Sequence, residues 1–319
     1  MGSGVVWSDF TLYRAVRMHY ERRIYLLNTA LEDMLKNGVV VTDGAWGTQL
    51  QVKGLPIGAC PDIWNITSPD IVTEVAKSYV SAGSQVILTN TFGASRTSLA
   101  RHGMEAKTVE INRAGASISK EAAKGAAKVF ASMGPCGKML AMEEISEEET
   151  LNVFLEQSEA LAEGGADGIV VETMSDLQEA ILAVKAAKRT GLPVVASMAF
   201  DSGKAADRTM MGITPEQAVK GLTDAGADVI GANCGRGPEG LLSICERYKA
   251  ATSAPIWIKP NAGLPEMAEG GAACIYHTTP EEFADQAYKI VQAGASFIGG
   301  CCGTTPEFIR ALVARIEKH

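Results

Sequence analysis

One spelling recurs along this chain and restricts what it can become. AGSQVILTN (82–90), GGADGIVVET (164–173), AGADVIGANC (225–234) and AGASFIGGCC (293–302) each run from a small-residue cap into an apolar strand that ends in polar or sulfur-bearing residues. A helical pattern precedes each, as in TEVAKSYVS and DQAYKIVQ. Helix, then glycine, then buried strand is one half of a βα unit, because glycine closes a helix and a short apolar run suits a strand covered on both faces. Four further runs, VVVTD (39–43), VFASMG (129–134), VVASMAF (194–200) and IWIKPN (256–261), bring the expected strands to eight. Helix-compatible stretches follow them: SEEETLNVFLEQSEALAE after the third, TMSDLQEAILAVKAAKR after the fourth, TPEQAVKGLTD after the fifth.

Eight alternations over residues 38–319 predict an α/β protein, a (β/α)8 TIM barrel, a fold that typically takes about 250 residues. A doubly wound open sheet is the competing architecture. The turn after the first strand, DGAWGTQ, lacks the G-x-G-x-x-G fingerprint of that class, and no Walker phosphate loop occurs. Residues 1–37 read differently. LYRAVRMHYERRIYLLNTALEDMLKNG mixes apolar and basic positions at helical spacing and predicts an N-terminal helical extension outside the barrel, with no chemistry assigned to it.

The net charge of −8, spread along the chain, offers no electrostatic footprint for nucleic acid. No apolar run reaches the roughly 18 residues that span a bilayer, and the opening MGSGVVWSDF lacks a basic region followed by an apolar one. Both readings predict a cytoplasmic protein without membrane or nucleic-acid partners.

A barrel of this kind draws its reactive groups from the C-terminal ends of its strands. Taken in order, those ends are Asp43, Thr89 with Asn90, Gly134 with Pro135, Glu172, Met198, Asn233 with Cys234, Asn261, and Cys301 with Cys302. Three of the seven cysteines therefore meet at one rim. Adjacent cysteines on a regular strand point to opposite faces, so a common target requires a bend. Gly299, Gly300 and Gly303 are expected to supply it through backbone angles closed to other residues.

Soft thiolates favour zinc or an iron–sulfur cluster. A cluster wants a fourth cysteine, for which Cys136 and Cys274 are available. Zinc on three sulfurs keeps one coordination position for a substrate. His277, ahead of a TPEE helix start, reads as a solvated loop residue, and Cys245, inside an apolar helical pattern, as a small buried hydrophobe. Asp43 and Glu172 stand at the rim rather than on the acidic helix faces, which points to binding of a cationic group.

DGAWGTQL, TNTFGAS, GANCGRGPEG, KPNAG and GGCCGTTPE, in this order from residue 43 to 307, resemble the homocysteine S-methyltransferase family, which includes the homocysteine-binding module of cobalamin-dependent methionine synthase and the betaine- and S-methylmethionine-dependent enzymes. The resemblance covers nearly the whole chain beyond the extension. It implies that Cys234, Cys301 and Cys302 bind zinc and that Asn261 lies close enough to fill the fourth position when substrate is absent. It implies that Asp43 and Glu172 hold the amino group of homocysteine, that the amides just after Asp43, at Gly44 and Ala45, receive its carboxylate, and that Thr89, Asn90 and Thr91 line the pocket. Trp46 stands where the family usually shows methionine, and Gly235 with Arg236 where it often has small or apolar residues.

The implied reaction moves a methyl group from an activated donor to the thiol of homocysteine, or of a similar small thiol, giving methionine. The stretch from Cys60 to Gly93 is more similar to the methionine synthase module, which implies a methylcorrinoid donor carried on a separate protein, with S-methylmethionine and betaine as the other donors. Two other classes compete. A zinc hydrolase wants nitrogen or oxygen ligands, yet none of the four histidines falls at a strand end. A non-catalytic zinc- or thiol-binding protein needs the same cysteines without a donor.

Overall fold

The computed structural model describes residues 31–264, 266–267 and 274–318. By its contacts the chain divides into Met1–Gly38 and Val39–His319. Of the extension predicted over 1–37, only residues 31–37 are described, with 31–35 helical; the rest lies outside the described residues.

From Val39 onward the expected alternation is present. β1 (Val40–Val41) leads to α1 (Pro69–Ser81), β2 (Val86–Ile87) to α2 (Thr108–Ala123), β3 (Lys128–Met133) to α3 (Glu147–Glu163) and β4 (Gly168–Met174) to α4 (Leu177–Arg189). β5 (Val194–Met198) leads to α5 (Pro215–Asp224), β6 (Val229–Cys234) to α6 (Pro238–Ala251), β7 (Ile256–Pro260) to α7 (Pro280–Gln292) and β8 (Phe297–Ile298) to α8 (Pro306–Glu317). Every neighbouring pair is parallel, in the order β1-β8-β7-β6-β5-β4-β3-β2. A parallel bridge between Thr42 and Val86 joins the two ends of that order and closes the ring. The open-sheet alternative is thereby excluded.

Local sequence chemistry starts the helices where they start. Ser146, Thr214 and Thr279 each cap a helix with a reciprocal Glu or Gln three residues on, satisfying amide donors that have no partner inside the helix. The inner faces of the helices supply the outer core, with Tyr79, Phe154, Tyr248 and Phe283 fully buried.

Inside the ring, Phe130 of β3 stacks across to Trp257 of β7 at 6.2 Å between ring centroids, and Trp257 meets Phe297 of β8 at 5.3 Å. Each such ring removed from water contributes about 2–3 kcal/mol. Strand side chains alternate faces, so the residues two positions further on also point inward, one layer nearer the C-terminal mouth. Those residues are Ser132, Lys259 and Gly299. An apolar floor and a polar second layer thus follow from one period-two pattern.

Candidate metal centre and adjoining cavity

β6 ends at Cys234, which stands in register with Pro260 of β7, and the Cys301 amide donates to the Pro260 carbonyl at 2.7 Å. Pro260 therefore has Cys234 on one side and the residues after β8 on the other. The Ala262 amide, in turn, donates to the Cys302 carbonyl at 2.9 Å. These backbone contacts bring the sulfurs of Cys234, Cys301 and Cys302 within 4.8 Å of one another, with Cys234 and Cys301 2.9 Å apart and all three thiols free. Among the described residues this is the one group of cysteine, histidine and carboxylate side chains arranged to hold a metal ion.

The glycines around the pair act otherwise than expected. Only Gly303 has a positive φ, at 80°; Gly299 and Gly300 do not need the left-handed region. They are glycine because of close approach. A Cβ on Gly299 would lie 2.0 Å from Thr42 Oγ1 and 2.7 Å from the Asp43 carbonyl, and one on Gly300 would lie 2.3 Å from Thr304 Oγ1. The left-handed backbone belongs instead to Cys234 itself, at φ 63°, and to Thr173, at φ 61°. For residues with a Cβ this conformation costs on the order of 1 kcal/mol or more and persists only where the surroundings enforce it.

Asn233 enforces it. Its Nδ2 donates to Thr173 Oγ1 at 2.7 Å, while its Oδ1 accepts from the Thr173 amide at 2.9 Å and from Ser197 Oγ at 2.6 Å.

The three thiols share their protons. Hydrogen bonds donated by Cys234 and Cys301 pull Cys302 down to about 3, and in return Cys301 is pushed up to about 12 and Cys234 is raised well above an ordinary thiol, first through its bond with Cys301. A thiol held low among three neighbouring sulfurs suits a soft cation. Asn261 fits the same purpose. Its Nδ2 is held by the Gly235 carbonyl at 2.8 Å, next to Cys234, while its Oδ1 is buried with no hydrogen-bond partner. A buried polar oxygen without a partner among the described residues calls for one.

A cavity of about 600 Å³ opens beside the sulfurs, and its lining includes Cys234, Cys301, Cys302, Glu172, Thr89, Asn90, Gly44 and Ala45. Asp43, Thr91 and Asn261 lie behind that lining. The Asp43 carboxylate accepts from Trp46 Nε1 at 2.7 Å and from the Leu88 amide at 2.7 Å, and it forms a buried ion pair with Lys259. Thr91 turns to the Ser132 carbonyl, at 2.7 Å. The Ala45 amide is engaged by Thr304, through its carbonyl at 3.3 Å and its hydroxyl at 3.2 Å. Glu172 accepts from Ser132 Oγ, and burial pushes its carboxyl up to about 7 against the opposing pull of Lys259.

Of the other residues singled out from sequence, Cys136 is buried with its thiol on the Lys138 carbonyl, 3.5 Å away, and is no part of the sulfur group. Cys274 lies where its side chain is outside the described residues. His277 is exposed and pairs with Glu266 at 2.9 Å. Cys245 is a buried hydrophobe of α6, as read. Sequence reasoning passed over Lys259, Asp62 and Phe92, all of which line the cavity. Once the contact of Trp257 with Phe130 shows that Trp257 faces inward, alternation places Lys259 inside the ring as well.

Residues 40–316 match the model of the homocysteine S-methyltransferase family. The chain is 31% identical to methionine synthase from Mycobacterium tuberculosis (strain ATCC 25618 / H37Rv) over 92% of its own length, and 30% identical to methionine synthase from Mycobacterium leprae (strain TN) over 91%. It spans about a quarter of the length of these curated relatives: 26% of the first and 25% of the second. Among solved structures, the homocysteine methyltransferase MmuM from Escherichia coli superimposes with a TM-score of 0.74 in its oxidized form, at 22% identity, over 89% of this chain and 99% of that one. Its metallated form gives 0.72 at 24% identity, over 87% and 96%. With the barrel closed, three thiols gathered at its mouth and the family model matched across nearly all of the barrel, the chain belongs to the homocysteine S-methyltransferase family of enzymes.

Proposed function

We propose that this protein is a zinc-dependent S-methyltransferase that moves a methyl group from an activated donor to the sulfur of homocysteine, giving methionine. The observation that carries the reading is the meeting of three free thiols at the wall of a cavity that a buried carboxylate, Glu172, also lines. Cys234, Cys301 and Cys302 would hold the zinc, with Asn261 Oδ1 as the oxygen that completes the set. The chemistry a bound zinc supplies is Lewis acidity, which lets a thiol of pKa about 8.5 serve as a thiolate at neutral pH. Three sulfur donors, in place of three imidazoles, surround that position with net negative charge and keep an added sulfur electron-rich.

The chain's own groups do the rest. Glu172 meets the substrate's ammonium, an encounter that favours its ionised form. Thr89 and Asn90 shape the wall. Asp43 acts from behind, holding Trp46 and Lys259 in place through its three accepted contacts. In the transfer the carbon–sulfur bond forms as the donor–methyl bond breaks, the bonding pair leaves with the donor, and the thiol proton passes to solvent. Donor candidates are a methylcorrinoid on a separate protein, S-methylmethionine and betaine. A cytoplasmic location, as expected from the sequence, would keep these thiols reduced. Among the described residues no helix is long and apolar enough to cross a membrane.

The test is turnover. Zinc-loaded protein is incubated with homocysteine and, in turn, methylcobalamin, S-methylmethionine and betaine, and methionine is measured. Methionine from one donor supports the reading; tight thiol binding without product from any donor marks a zinc- and thiol-binding protein instead.

A further inference from the structure

We propose that Thr304 is a positioning residue that carries the state of the sulfur site to the cavity wall: its one buried hydroxyl joins the turn bearing Cys301 and Cys302 to the turn over residues 44–46. This rests on the metal reading above and adds a side chain outside the donor set.

Thr304 is fully buried. Its Oγ1 donates to the Cys301 carbonyl at 2.7 Å and accepts from the Ala45 amide at 3.2 Å, so the proton and a lone pair of one hydroxyl serve two turns from opposite ends of the barrel sequence. Two glycines keep the space around that oxygen. A Cβ on Gly300 would lie 2.3 Å from Thr304 Oγ1, and one on Gly44 would lie 2.8 Å from it. Neither glycine has a positive φ, so both positions give way to the same atom rather than to a backbone requirement. Backbone contacts hold the junction more loosely: the Ala45 amide also reaches the Thr304 carbonyl at 3.3 Å, and the Thr304 amide the Cys301 carbonyl at 3.1 Å. Tyr79 clasps the junction from the outer core, its hydroxyl donating to the Ala45 carbonyl at 2.7 Å.

The Cys301 carbonyl belongs to the peptide plane between Cys301 and Cys302. An ion held by both sulfurs fixes that plane, and with it the direction of the carbonyl to which the hydroxyl is bonded. On the other side, the Ala45 amide stands at the entrance to the short helix Trp46–Val52, and Gly44, Ala45 and Trp46 all line the cavity. Filling the sulfur site therefore firms one wall of the cavity, and by reciprocity a firm wall strengthens the hold on the ion.

Amide hydrogen exchange, read by mass spectrometry on the full chain with and without zinc, tests this. In wild type, zinc is expected to slow exchange over residues 44–47 roughly 5- to 10-fold, the range of one buried hydrogen bond, with α3 unchanged. Thr304→Val should reduce that slowing to less than about 2-fold and weaken zinc in a chelator competition by the factor lost, while Thr304→Ser, which keeps the hydroxyl, should retain both. Should Val crowd Gly44 and Gly300 and prevent folding, Thr304→Ala removes the hydroxyl without added bulk and is expected to show the same loss. Undiminished slowing in the Val or Ala variant, slowing in wild type that is equal in α3, or zinc binding with no change over residues 44–47 would overturn the assignment. A wild type that binds no zinc overturns the metal reading and this inference with it.

Discussion

Asn233 and Thr173, on strands β6 and β4, exchange two hydrogen bonds across the barrel mouth, Nδ2 to Oγ1 at 2.7 Å and amide to Oδ1 at 2.9 Å; Thr173 is itself left-handed and Asn233 precedes the left-handed Cys234. The amide of a single side chain therefore fixes the turn that presents Cys234. Asn233→Ala leaves the Ser197 hydroxyl and the Thr173 amide without their acceptor, at about 1–3 kcal/mol for each buried group stranded. A urea midpoint lowered accordingly, together with weaker zinc retention in a chelator competition, is the expected outcome.

The sulfur group makes an all-or-none statement about metal content. Cys234→Ala and Cys302→Ala are each expected to lose about one equivalent of zinc by elemental analysis, because two sulfurs do not replace a closed donor set. Cys245→Ala, whose thiol is buried in α6 away from the group, should keep it.

Gly299→Ala probes close approach rather than backbone freedom. Its Cβ would have to share space with Thr42 Oγ1 and the Asp43 carbonyl, so β8 and β1 would be forced apart. Overpacking of a well-filled site costs about 1–3 kcal/mol, and here backbone as well as side chain must yield. Thermal melting should show a loss at or above that range, accompanied by reduced zinc binding.

Stability should fall between about pH 4 and pH 6 on account of Asp62. Burial raises its carboxyl to about 6, while in the unfolded chain it titrates near 3.9. In that window the folded state keeps a proton that the unfolded state has released, so the contribution is full below the lower value and is lost as pH rises through the upper one. The size is on the order of 2–3 kcal/mol. Urea midpoints measured across this range for wild type and Asp62→Asn should show a flatter slope in the variant.

Glu172→Gln removes the carboxylate that faces the cavity while preserving its shape and its contact with Ser132. A fall of roughly 10- to 100-fold in kcat/KM for homocysteine is expected, carried mainly by KM, with zinc content unchanged.

Much of this molecule could be read from the chain. All eight strands were legible because each is a short apolar run between helical patterns, and the rule that barrel chemistry collects at strand ends brought Cys234 together with Cys301 across 67 residues. Three features were not. The reason for Gly299 lies in Thr42 and Asp43, on the far side of a seam between strands that are first and last in sequence. Lys259 was hidden within IWIKPN, since alternation assigns it to a face but only the contact of Trp257 with Phe130 shows which face is the interior. The role of Asn233 depends on a partner on β4, two strands away, which no local pattern encodes.

The path from Cys234 through Pro260 to Cys301 also has a mechanical meaning. The sulfur donors come from opposite sides of one strand, and β8, whose following turn carries two of them, is among the shortest staves of the ring. Whatever grips all three ties the turn after one of the shortest strands to the end of β6, so that loading the site and tightening that side of the ring become a single event.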